Sequence, residues 1–231
     1  MSAYGTKRKM SIDYIAPKSK KAKRTRKRSL WTSIPRAPFP DRSVQKLKYV
    51  DFIQLDPSTL FPAFWNFSCN GLYDPNQTGT GHQPMGFDQY AGLYNHYHVM
   101  ESYVKVTFMT PDDTSGGNKH ACIIAIMRNN DTTDSRSTTD RLEDSSTVYD
   151  VLHGDGPGAK VLTLGYKERA IFPVDKRGDT HAAINTNPAE QTSFQVFASA
   201  ITTGNDPGPI KGIVEINYLC EFYERQDLLG S

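Results

Sequence analysis

The sequence predicts an all-β body, an eight-stranded antiparallel jelly roll of two packed sheets, behind a disordered or extended basic N-terminal arm. Three observations predict it. Apolar runs of strand length alternate with a period of two. The breaks between them are rich in Gly, Pro, Asn, Asp and Thr. Eight such runs with long loops fill residues 44–231, more chain than an immunoglobulin sandwich uses.

The expected strands are 46–55, 62–69, 100–109, 120–128, 147–152, 159–172, 192–202 and 212–224. In the third, Ser102, Val104, Val106 and Phe108 share one face and Glu101, Tyr103, Lys105 and Thr107 the other. In the last, Val214, Ile216, Tyr218, Cys220 and Phe222 oppose Glu215, Asn217 and Glu221. One wet face per strand indicates antiparallel sheet. Cys122 to Met127 is apolar on both faces and reads as a central strand. Turns are expected at 74–84, 110–119, 153–158, 175–179 and 203–209. A helical turn or two is expected within Phe87 to Tyr97. With 37% hydrophobic and 11% aromatic residues, the chain has enough material for a sizeable core.

Charge divides the chain. Residues 1–28 hold Lys7, Arg8, Lys9, Lys18, Lys20, Lys21, Lys23, Arg24, Arg26, Lys27 and Arg28 against Asp13 alone, a balance of +10. The remaining residues balance at −8. The run from Lys18 to Arg28 packs eight cations into eleven residues. It repels itself and buries little, so it should stay disordered until a polyanion neutralises it. Nucleic acid is the expected polyanion, since each cation at a phosphate releases a condensed counterion. No base-reading element is evident, so binding should ignore sequence and depend steeply on salt. Tyr4, Tyr14 and Trp31 either stack on unpaired bases or anchor the arm to the body. The same cations read as a nuclear import signal, with importin as the partner. Three prolines in 34–41 mark an extended hinge, so residues 1–43 form arm and hinge and 44–231 the body.

Catalytic motifs are missing: there is no GxSxG, HExxH or P-loop, and Pro157 removes an amide that GDGPGAK would need to cradle phosphate. No enzyme and no cofactor are expected. His96 and His98 share a strand face, but the sequence offers no convincing third ligand, so no metal is expected. Cys69, Cys122 and Cys220 are widely spaced and read as buried small hydrophobes. Arg177-Gly178-Asp179 is a tripeptide that integrins read and that turn composition also produces by chance. No apolar run approaches the roughly 18 to 20 residues that span a bilayer, and the N-terminus has no signal-peptide core, so neither membrane insertion nor secretion is expected. The three Asn-x-Ser/Thr patterns, beginning at Asn66, Asn76 and Asn130, are therefore discounted. The polar stretch 129–146, with five acids and two arginines, should sit fully in water and away from nucleic acid.

One segment carries a resemblance. It runs through Pro84-Met85-Gly86-Phe87-Asp88-Gln89-Tyr90 and Leu93-Tyr94-Asn95-His96-Tyr97-His98 into the strand from Val99 to Phe108. Here the chain resembles the capsid proteins of small circular single-stranded DNA viruses, the circovirus-like group. Its arm departs from the most arginine-rich members, mixing Lys with Arg and broken by residues 11–17. The resemblance implies a subunit of a sixty-copy icosahedral shell. Its arms would hold a single-stranded DNA genome, its loops would face outward to a cell-surface receptor, and it would be found in the virion and the host nucleus. An RNA-virus or satellite capsid, and a non-assembling nucleic-acid-binding β domain, are the alternatives.

Overall fold

The structure, a computed structural model, describes residues 39–79, 81–109, 120–130, 134–154, 158–202 and 206–227. Among the described residues nine strands form two antiparallel sheets. The first sheet has the order β1 (Arg42–Leu55), β9 (Ile210–Arg225), β3 (Tyr94–Phe108) and β6 (Lys160–Lys167), with the short β7 (His181–Ala183) also paired to β3. The second has the order β2 (Ala63–Ser68), β8 (Ser193–Ala200), β4 (Cys122–Asn129) and β5 (Thr147–Leu152). β9 lies between β1 and β3, and β8 between β2 and β4, the interleaved strand orders of the two sheets of a jelly roll.

The expected alternation is present. Ser102, Val104, Val106 and Phe108 are buried, as are Val214, Ile216, Tyr218, Cys220 and Phe222. Their neighbours on the opposite face are laced by ion pairs, such as Lys48 and Lys105 to Glu215. β4 lies between β8 and β5 with both faces covered: Ile124 and Ile126 join the main core, and Ala125 and Met127 pack with Leu142 on the other face. The three cysteines are buried and reduced.

All eight expected strands form, with four differences. β1 starts at Arg42 and β3 at Tyr94, both earlier than expected. The long run 159–172 ends as strand at Lys167. The helix formers Glu168, Arg169 and Ala170 then begin the one-turn helix α3 (Glu168–Ile171), and Pro173 holds Phe172 extended. Beyond a 3-10 turn (Val174–Thr180), three residues return to the β3 edge as β7, too short for periodicity to reveal. The fourth difference, a helix inside 129–146, is treated below.

The segment that carries the resemblance serves the core. Gly86, in the left-handed region at φ 90°, lets the chain turn into helix α1 (Phe87–Ala91). Phe87, Tyr90, Tyr94 and Tyr97 then surround Phe222, with ring centroids 4.8–6.5 Å from it. A bulge between Val99 and Glu101 rephases β3, so Tyr97 and Val99 above it and Ser102 below it all face the core.

Buried hydroxyls bind the sheets together. Tyr218 donates to the Ser68 carbonyl at 2.8 Å and Ser102 to the Cys69 carbonyl at 2.6 Å. Tyr97 donates to the Thr186 carbonyl and accepts from the Leu72 amide. Tyr218→Phe leaves the Ser68 carbonyl buried and unpaired, so denaturant unfolding should show a loss of about 1–3 kcal/mol.

Candidate functional site

The eleven basic residues from Lys7 to Arg28 lie outside the described residues, as do Tyr4, Tyr14, Trp31 and the first part of the hinge. The body presents three features that bear on function.

The first is the polar stretch 129–146, of which 134–146 is described beyond Asn130. It was expected to sit fully in water, and it does not. Helix α2 (Thr138–Glu143) begins with a capping box, in which the Ser137 side chain accepts the Asp140 amide and the Asp140 carboxylate accepts the Ser137 amide. This seats Arg141 against the second sheet, where it is 1% exposed. Its guanidinium lies 4.3 Å from the centre of the Phe64 ring. It donates to Gln195 Oε1 at 2.5 Å, the Asp134 carbonyl at 2.7 Å and the Arg136 carbonyl at 3.0 Å. Leu142 packs with Ala125, Met127 and Phe197 as a small second core. A charged residue in a polar run is thus an anchor, because backbone carbonyls and ring faces can satisfy a guanidinium that no carboxylate fully pairs.

Around that anchor, Arg136 binds Asp134 and Asp144, each at 2.9 Å. Hydrogen bonds from Arg136 hold the Asp134 carboxyl below its ordinary range. The Ser146 amide and hydroxyl, with Arg136, bring Asp144 down to about 2. Depressed carboxyls stabilise above their unfolded value, near pH 3.9, and lose that contribution as pH falls through the folded one. Amide exchange across 134–146, corrected for intrinsic rate, should therefore rise selectively between about pH 4 and pH 2.

The second feature is a histidine cluster on the face of the first sheet that points away from the core. His98 in β3 lies opposite Glu221 of β9 on one side and His181 of β7 on the other. The two imidazoles stack with planes 2° apart and centroids 4.3 Å apart. Glu168, buried at the start of α3, accepts a hydrogen bond from Thr180 Oγ1. The donor atoms of His98, His181 and Glu168 lie within 4.8 Å of one another. His98 Nδ1 is buried without a hydrogen-bond partner, 3.6 Å from Glu221 Oε2. Burial, and then the His181 ring, push the His98 pKa down, favouring the neutral imidazole. His96, the neighbour expected to share a ligand face, instead stacks on Tyr223 beside Glu224. The sequence lacked a third ligand because Glu168 and His181 reach His98 only through the α3 and β7 excursion.

The third feature is exposed apolar surface. Phe52 (74% exposed) lines a shallow groove with Trp65, Met109 and Gly212, and Leu60 and Phe61 stand out from the β1–β2 connection. Arg177-Gly178-Asp179 sits on the 3-10 turn, where Arg177 Nε donates to the Phe172 carbonyl. No helix among the described residues is long and apolar enough to cross a membrane.

No protein-family model and no curated protein sequence matches the chain. Solved structures do. The chain is similar to Desmodium yellow mottle tymovirus at 13% identity, over 86% of this chain and 97% of that one, with a TM-score of 0.44. It is similar to a semi-empty VLP of the giant freshwater prawn Macrobrachium rosenbergii nodavirus at 11% identity, over 84% and 100%, with a TM-score of 0.47. It is similar to Cocksfoot mottle virus at 11% identity, over 96% and 98%, with a TM-score of 0.46.

Proposed function

We propose that the chain is a capsid subunit. Its jelly roll tiles a closed icosahedral shell of sixty copies, and its residues 1–28 neutralise a single-stranded genome inside. The observation that carries the reading is the division of charge, +10 on the arm and −8 on the rest. Sixty such arms would bring roughly 600 positive charges into one closed volume, a scale suited to the phosphates of a small genome. The acidic body would limit adhesion between finished shells. Exposed Phe52, Leu60 and Phe61 supply apolar area for contacts between copies.

A DNA genome, with import of the subunit into the host nucleus by importin, rests on the segment Pro84 to Phe108 and on the arm. The solved structures above lend DNA no support. An RNA genome is the second reading, since phosphate neutralisation does not distinguish the two. Residues 134–146 would lie on the outer surface, as would Arg177 to Asp179 if they meet a receptor.

Electron microscopy of the purified full-length chain tests the proposal. Uniform shells containing nucleic acid are expected, and digestion of the released contents by DNase or RNase assigns the genome type. A strictly monomeric chain at high concentration with nucleic acid present overturns it.

A further inference from the structure

We propose that His98, His181 and Glu168 form a binding site for a divalent transition-metal ion of the zinc type. This inference does not depend on the capsid reading.

Two imidazoles and one carboxylate are a donor set that zinc takes in three-ligand sites, with a fourth position left for water. All three side chains hang on separate elements, β3, β7 and α3, which meet along one edge of the first sheet. A random surface histidine pair lacks two things found here. The carboxylate is buried, with Thr180 as its hydroxyl donor and no lysine or arginine ion pair among the described residues. An imidazole nitrogen, His98 Nδ1, is buried with no hydrogen-bond partner. Leaving such groups uncompensated in the interior is costly. A dication between them answers both.

The surroundings have the form of an outer shell. The Tyr223 hydroxyl lies 2.9 Å from His181 Nδ1, which leaves Nε2 for the ion. Thr180 fixes the carboxylate through its hydroxyl. Groups of this kind set the ring orientation of a ligating histidine. Ion binding requires movement. A tetrahedral ion at about 2.1 Å draws its ligand atoms to about 3.4 Å of one another. The donors must therefore close in, and the parallel rings must rotate apart so that both lone pairs converge. Rotation about the side-chain bonds of His98 and His181 supplies this with the strands in place. The nitrogen donors favour zinc, cobalt or nickel and disfavour calcium and magnesium, which prefer oxygen.

The bound ion would tie the α3–β7 excursion to the middle of β3. Isothermal titration of the full-length chain with Zn²⁺, and absorbance titration with Co²⁺, test the site. One ion per chain is expected, with a tetrahedral Co²⁺ spectrum and a melting temperature raised by Zn²⁺ but not by Ca²⁺ or Mg²⁺. His181→Ala and Glu168→Gln should each weaken binding at least about tenfold. Tyr223→Phe, which keeps all three ligands and the ring packing, should weaken it about 10- to 100-fold. Binding well below one ion per chain overturns the proposal. So does unchanged affinity in Tyr223→Phe together with whichever ligand variant keeps the wild-type melting curve, since binding would then lie elsewhere.

Discussion

Deletion of residues 1–28 should leave the jelly roll folded and remove nearly all affinity for polynucleotides. The deleted segment carries every charge of the +10 excess, and what remains is net acidic at −8. For the full chain, log affinity for a single strand should fall with log salt at a slope of about −0.7 per phosphate contacted. That approaches roughly −8 if all eleven cations engage. With even six to ten contacts, affinity should drop by a few hundred-fold to about 10⁴-fold between 50 and 200 mM salt. In the deletion variant both the affinity and the slope should collapse. Fluorescence anisotropy with a labelled oligonucleotide across salt concentrations reads both quantities. A variant that keeps the full slope would place the binding surface on the body and invert the charge argument. Melting temperatures of the two chains should agree, because a self-repelling basic run with few apolar side chains has little to contribute to a core.

Arg141→Ala should be among the most damaging single changes in the body. The substitution leaves Gln195 Oε1 and the carbonyls of Asp134 and Arg136 without their donor. It also removes the cation from above Phe64 and from beside Asp134, whose carboxylate is itself mostly buried. Breaking a buried charge network from one side costs about 3–5 kcal/mol, and a domain of this size loses about 2–4 °C per kcal/mol. Calorimetry on the full chain should show a drop of roughly 10 °C. Arg141→Lys should recover little, since one ammonium cannot reach three acceptors arranged around a planar fork. Arg141→Met should do better than Ala, because it fills the slot between Phe64 and Phe197. If Ala melts like the wild type, the loop is not anchored as described.

How much of this the sequence disclosed depended on how local each cause is. β3 and β9 were legible because one wet face writes a period of two directly into the residue order, as at Val104, Val106 and Phe108. The turn into α1 could be placed because Gly86 supplies a backbone conformation few residues tolerate. β7 was not legible: three residues, His181, Ala182 and Ala183, carry no periodicity and become a strand only because the β3 edge is vacant above Glu101. Arg141 was hidden for another reason. A guanidinium satisfied by carbonyls and aromatic faces has no partner that a sequence pattern would flag, and its setting among Asp, Ser and Thr reads as solvent. The His98, His181 and Glu168 cluster was half visible. His96 and His98 stand two residues apart in the sequence, but the useful partners come from segments that tertiary pairing alone brings alongside. The basic arm is the opposite case, since its charge is wholly a property of composition.

The placement of β9 between β1 and β3 has a consequence for how the chain is made. Among the described residues β1 is made before every other strand, yet its one strand partner is β9, from Arg42 opposite Tyr223 to Leu55 opposite Ile210. The first sheet therefore cannot close until β9, the last of the described strands in chain order, has left the ribosome, and pairings of such long sequence separation form slowly. A nascent chain that stops before residue 210 leaves both β1 and β3 without their shared neighbour. Prematurely terminated products thus cannot complete the sandwich, and the topology itself screens them out.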